Sequence, residues 1–159
     1  KGENVMLGYW KNEEETNKVL KNGWLYTGDI GEFDGKFLKI TDRKKDIIIT
    51  MGGDNISPTK IENDLNKSEF VEQSLVYGDG KPYLVSLIVL SLEHRNVSKE
   101  KIQQEIEKIN INLTKIEKIK KFIIIKDKFT IENHMMTPTL KIKRYKAIKK
   151  YKVALEQLF

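Results

Sequence analysis

Cysteine is absent from this chain, which excludes disulfide staples, thiolate metal ligands and cysteine nucleophiles. Histidine is nearly absent: His94 and His134 stand far apart with no metal-ligand spacing, so no metal centre is expected from the protein's own side chains. No apolar run approaches the roughly 20 residues of a membrane-spanning helix. The opening Lys1-Gly-Glu-Asn4 reads neither as a signal peptide nor as a targeting arm. A cytoplasmic location, at most peripheral to the inner face of a membrane, is the expectation. The chain opens without Met in what reads as the middle of a loop, so an excised portion of a longer protein is expected.

What the chain does hold is charge. With 39% hydrophobic and 33% charged residues in 159, it belongs among globular sequences able to form one domain, or one domain with a structured piece of another in front. The formal net charge is +6. The surplus gathers late, in Lys118, Lys120, Lys121, Lys126 and Lys128, then Lys141, Lys143, Arg144, Lys146, Lys149, Lys150 and Lys152. Such a surface draws phosphates, nucleic acid or an anionic bilayer without separating them. Most of these lysines are expected on a solvated face.

The order of patterns divides the chain. Glu13-Glu-Glu15 ahead of Val19 and Leu20 predicts a short helix with negative charge at its N-terminus, closed by Asn22-Gly23. Trp24 to Tyr26 reads as a short strand. Ile30 to Phe33, the Asp34-Gly35 turn and Lys36 to Ile40 predict a hairpin. The charge run Asp42-Arg-Lys-Lys45 then falls between two apolar strands, a natural domain boundary or pivot. Ile47 to Thr50, the Gly52-Gly53 turn and a helix opening at Ser57-Pro58 follow, with Ile61 and Leu65 on its apolar side. Val71 to Tyr77 and Tyr83 to Leu90 read as strands. Ser98 starts a second helix carrying Ile102, Ile106 and Ile109, and the segment 111–120 reads as a continuation or a further helix. Phe122 to Ile125 reads as a buried strand, Thr130 to Leu140 as a loop, and Tyr145 onward as an amphipathic helix.

Five segments, in this order, carry a family resemblance: Asn4-Val-Met-Leu-Gly-Tyr-Trp-Lys-Asn12, Gly23-Trp-Leu-Tyr-Thr-Gly-Asp29, Asp42-Arg-Lys-Lys-Asp46, Gly52-Gly-Asp-Asn-Ile-Ser-Pro58 with Glu62, and Thr137-Pro-Thr-Leu-Lys-Ile-Lys-Arg144. Together they resemble the C-terminal end of an AMP-forming acyl-CoA synthetase, and among these the long-chain fatty-acid CoA ligases. The last motif suggests that subclass, because short-chain and peptide-synthetase relatives usually carry glycine where this chain has Leu140. The resemblance implies an α+β fold: a small mixed α/β C-terminal lid domain preceded by a β-rich segment from the end of a large N-terminal domain. It implies that residues 1–44 end the large domain and that 45–159 form the hinge and lid. The family joins a fatty acid to ATP, with Mg2+, to give acyl-adenylate, then lets CoA displace AMP. A fragment of it is expected to be inactive alone.

Residue roles follow from the same resemblance. Asp29 matches the carboxylate that accepts from the nucleotide's ribose hydroxyls, and Arg43 the guanidinium that reaches the nucleotide. Lys45 falls at the hinge. Gly52 and Gly53 match the loop beside the pantetheine arm of CoA, and Lys141 matches the lysine that enters the site for adenylation. Glu62 is expected to fix its helix by an ion pair, while Lys143 and Arg144 either attract CoA phosphates or stabilise the lid locally. Met135 and Met136 are expected to pack behind the Lys141 loop, and Trp10 and Trp24 to be structural. Two other readings are weighed: another acyl- or aryl-CoA ligase of the same superfamily, and a basic nucleic-acid-binding module. The second lacks a recognition-helix or aromatic-platform pattern, so no specific nucleic-acid partner is expected. Fatty acid, ATP and CoA are the expected partners, with weak membrane contact through the basic tail compatible with all of this.

Overall fold

The structure, a computed structural model, describes residues 1–159 in full and separates into two compact units, Lys1–Lys45 and Asp46–Phe159. No helix in it is long and apolar enough to cross a membrane.

In the first unit, helix α1 (Glu13–Val19) begins where Asn12 Oδ1 accepts from Glu15 N–H at 3.1 Å, and three glutamates occupy its first turn. A capping side chain and acidic residues at that end both oppose fraying. Asn22-Gly23 does more than end this helix. Both residues are left-handed (φ 52° and 75°) and join β1 (Leu20–Lys21) to β2 (Trp24–Leu25) as a two-residue hairpin turn. Strands β3 (Asp29–Asp34) and β4 (Phe37–Arg43) form the longer hairpin, with a bulge between Ile30 and Gly31. β4 runs past Ile40 into the charge run. Asp42, although charged, is buried there, and its carboxylate accepts from Arg43 N–H at 2.7 Å. The polar crossing therefore begins at Lys44, two residues later than the sequence pattern suggests. No hydrophobic side chain before Ile48 is buried, and Phe33, Phe37 and Leu38 stand exposed on the hairpin.

The second unit carries the core. It opens with the small hairpin of β5 (Ile48–Ile49) and β6 (Asn55–Ile56), followed by α2 (Pro58–Leu65). Strands β7 (Val71–Tyr77) and β8 (Leu84–Leu90) pair antiparallel. A 3-10 turn and helix α3 (Lys99–Ile111) lead to β9 (Ile119–Ile125), which pairs parallel to β8. Helix α4 (Arg144–Glu156) closes the chain. β8, Leu-Val-Ser-Leu-Ile-Val-Leu, is buried at every position because both sheet faces are covered. Leu84, Ile88 and Leu90 pack with Ile61 and Leu65 of α2 and Ile102 and Ile106 of α3, while Val85, Leu87 and Val89 pack with Ala147 and Leu155 of α4. Fully burying each such side chain contributes about 1.5–3 kcal/mol.

Alternation along the edge strands survives because register shifts correct it. One between Val71 and Gln73 lets Val71 share a face with Val76, and another opposite Leu84 and Val85 returns Ile119 to the face of Phe122. The segment 111–120 is not a helix. α3 stops at Ile111, and Asn110 grips Ile119 in both directions, its Nδ2 donating to Ile119 O and its Oδ1 accepting from Ile119 N–H, each at 2.9 Å. That two-way bond turns the chain into β9 three residues before Phe122.

Candidate functional site

Within the first unit the structure brings Asp29 and Arg43 together. They face each other across the β3/β4 ladder, with Arg43 Nε 3.1 Å from Asp29 Oδ1. Thr27 Oγ1 accepts from Asp29 N–H at 3.1 Å, and Lys44 N–H donates to Gly28 O at 2.8 Å, so the segment before the carboxylate is held at both ends. Arg43 is half exposed, and a pair of this kind contributes about 0–1 kcal/mol to stability. Its chemistry matters more. One carboxylate oxygen faces the guanidinium, and a carboxylate has capacity to accept from neighbouring hydroxyls besides. Lys45 is exposed in the turn after β4, and the division between the two units falls directly after it.

In the second unit Gly52-Gly53 and Lys141 lie on two loops that share one construction. In the first, Thr50 N–H donates to Asp54 O at 3.0 Å, Gly53 N–H to Thr50 O at 2.9 Å, and Asp54 N–H to Thr50 Oγ1 at 3.2 Å. In the second, Thr137 N–H donates to Lys141 O at 2.8 Å, Leu140 N–H to Thr137 O at 2.9 Å, and Lys141 N–H to Thr137 Oγ1 at 3.0 Å. Each closes an antiparallel pair, Ile49 with Asn55 and Met136 with Ile142. Each has three loop residues, the third left-handed: Gly53 at φ 84° and Leu140 at φ 59°. This is the hairpin in which a turn is followed by a left-handed residue. Pro138 presets the first loop position of the second. Gly52 is not left-handed, so only Gly53 is demanded by its backbone. Lys141 is therefore tied through its main chain while its side chain is exposed.

The base of the glycine loop is anchored to the turn between β7 and β8. Met51 N–H donates to Lys81 O at 3.0 Å, Gly80 N–H to Ile49 O at 2.8 Å, and Ile49 N–H to Asp79 Oδ1 at 3.0 Å. Behind the Lys141 loop, Met135 is buried and Met136 half-buried against Gln73, while Lys143 N–H donates to Met135 O at 2.7 Å. Glu62 does form an ion pair, and its partner is Arg144, whose Nη1 lies 2.5 Å from Glu62 Oε1. Arg144 is thereby committed inside the unit, as Lys128 is to Glu72 and Lys150 to Asp127. His94 bonds Ser91 and stacks edge-on with Phe70, and His134 is exposed at φ 61°. Trp10 and Trp24 are exposed in this chain, in a unit that buries no hydrophobic side chain. No group of His, Asp or Glu side chains converges with metal-holding geometry.

Sequence reasoning missed the two threonines. Thr50 and Thr137 stand three residues before the left-handed position in their loops, and that shared spacing was the available signal.

The second unit is thus a small mixed sheet with helices packed on both faces, carrying two loops of one construction. The family model for the AMP-binding enzyme C-terminal domain matches residues 45–159, and the chain belongs to that family. Long-chain-fatty-acid–CoA ligase FadD15 of Mycobacterium tuberculosis is 32% identical, aligned over 98% of this chain and 30% of its own length. Long-chain-fatty-acid–CoA ligase 5 of Mus musculus is 36% identical, over 100% of this chain and 27% of its own. Among solved structures, the adenylation domain of a carboxylate reductase from Mycobacterium chelonae superposes with a TM-score of 0.90 at 28% identity, covering 99% of this chain and 26% of that one. The A domain of a carboxylic acid reductase from Segniliparus rugosus, in complex with AMP and a co-purified carboxylic acid, gives 0.89 at 29% identity, covering 99% and 27%. This chain thus spans under a third of the relatives it matches.

Proposed function

We propose that this chain is the hinge-and-lid portion of a long-chain fatty-acid CoA ligase: residues 1–44 end the large domain, Lys45 is the hinge and 45–159 form the lid. The complete enzyme activates a fatty acid with ATP to acyl-adenylate and pyrophosphate, then transfers the acyl group to the CoA thiol with release of AMP. Asp29 accepts from the ribose hydroxyls, and Arg43 holds that carboxylate and reaches the nucleotide. Mg2+ enters with the phosphates of ATP, as such ions usually do, and no residue here is assigned to it.

The observation that carries this reading is the locked loop at Lys141. A main chain fixed by three short-range hydrogen bonds presents an exposed ammonium from a defined point. As the fatty carboxylate attacks the α-phosphorus, charge builds on the phosphoryl oxygens. A positioned cation stabilises that charge without donating or removing a proton. The glycine loop serves the second step, where a backbone bare of side chains lets the narrow pantetheine arm pass. Rotation at Lys45 exchanges the two loops. The acyl pocket belongs to the rest of the enzyme on this reading, and the chain alone is expected to be inactive.

The test is Lys141→Ala in the full-length enzyme. Acyl-adenylate formation should fall by about 10²–10³-fold, the usual loss on removing one positioned stabiliser. CoA attack on supplied adenylate should stay within a few-fold. Equal losses in the two half-reactions would refute the assignment, and an assay with carboxylic acids of graded length separates long-chain from other acyl- or aryl-CoA ligases.

A further inference from the structure

Glu62 and Arg144 do more than pair. Glu62 Oε1 accepts from Val76 N–H at 2.6 Å as well as from Arg144 Nη1 at 2.5 Å, and Arg144 Nη2 donates to Val76 O at 2.5 Å. Val76 lies on β7, an edge strand of the sheet. Its two outward backbone groups are thus met by two side chains where another strand would otherwise sit. Both side chains are largely buried, at 13% and 16% exposure. α2, which carries Glu62, follows the Gly52-Gly53 hairpin directly, and Arg144 is the first residue of α4, three positions after Lys141.

We propose that Glu62, Arg144 and the Val76 backbone form a clasp that holds the Lys141 loop and the glycine loop in fixed register within the lid, making Glu62 and Arg144 positioning residues for both half-reactions. This rests on the ligase reading above. The physical reason is directional. Four side-chain and backbone groups meet in a largely buried cluster, where a planar guanidinium fork permits one orientation only. Apolar packing between α2, β7 and α4 supplies attraction without fixing rotation or register. A lid that must present two loops in turn needs both to travel as one body, and small misplacement of catalytic groups costs about 10²-fold in rate.

The experiment uses the full-length enzyme with three changes: Arg144→Met, Arg144→Lys, and the double substitution Glu62→Leu with Arg144→Met. Replacing a buried ion pair by apolar groups of similar volume commonly keeps the fold, and circular dichroism and thermal melting confirm it. In the folded double variant, both half-reactions should lose about 10²-fold in kcat with little change in KM. Arg144→Lys retains charge but not the fork, and should recover only part of the loss. Amide exchange supplies the readout independent of activity: in Arg144→Met, exchange at Gly53 and at Leu140 should rise together by about fivefold or more. A folded double variant with both half-reactions within twofold of wild type overturns the proposal. So does loss of one half-reaction alone, or loosening of one loop alone. A wild-type enzyme that forms no acyl-adenylate would sink the ligase reading instead, and the paired rise in exchange would still decide the clasp.

Discussion

The shared construction of the two loops makes an exchange of residues informative. Gly53→Ala places a side chain at φ 84°, and Leu140→Gly removes one at φ 59°. A left-handed non-glycine residue costs about 1–2 kcal/mol. Glycine returns about 0.5–1 kcal/mol of that through the greater freedom it loses on folding. Gly53→Ala should therefore destabilise by about 0.5–1 kcal/mol, and Leu140→Gly should stabilise by a similar amount. Sterics do not confuse the comparison: a Cβ at Gly53 meets nothing within 4 Å, and Leu140 is 69% exposed, so little burial is surrendered. Gly52→Ala is the control. Its Cβ would lie 3.2 Å from Asp54 Oδ2, a contact relieved by a shift of a few tenths of an ångström in a carboxylate that accepts from Thr50 Oγ1 at 3.1 Å, and no left-handed backbone is involved. Urea unfolding of the 1–159 chain reads the differences as shifts in midpoint at constant slope. Near the melting temperature they amount to about 2–4 °C per kcal/mol. If Gly52→Ala costs as much as Gly53→Ala, or Leu140→Gly is destabilising by about 1 kcal/mol, the shared-turn reasoning fails.

Two further outcomes are expected. Ser98 Oγ accepts from Lys101 N–H at 3.3 Å at the start of α3, so Ser98→Ala should cost about 1 kcal/mol in chemical denaturation, whereas Ser98→Asp should cost little. The Tyr77 phenol is pushed up to about 12, first by burial and then by its hydrogen bond to Glu156. An unfolded tyrosine releases its proton near pH ~10. Above that pH the folded chain holds a proton the unfolded chain has lost. This contribution is therefore complete below about pH 10 and declines toward pH ~12, by about 1 kcal/mol after allowance for solvent screening. Tyr77→Phe should remove that alkaline decline in melting temperature, and an unchanged profile would show that the phenol does not titrate in this way.

Much of the second unit could be read from local pattern. The seven-residue run Leu84–Leu90 is apolar on both faces because its strand is central, and Ser98 announces α3 from its place before Lys99. Other features depend on partners distant in sequence. Arg144 looks like one more cation in a basic stretch, and its carboxylate lies 82 positions upstream. The start of β9 is set by Asn110, and the extent of β4 by an Asp42 that is buried despite its charge. Motif resemblance singles out Asp29 and Arg43, but their meeting across a ladder is a property of register. Leu140 stands where glycine is usual in short-chain relatives, and its left-handed backbone supplies the physical account of that preference.

The lack of any buried hydrocarbon side chain before Ile48 matters to whoever trims this polypeptide for the bench. A version starting at Asp46 discards none of the oily interior. A version ending at Lys45 would keep Phe33, Phe37 and Leu38 on its surface with no buried apolar centre beneath them, a composition that invites association between copies.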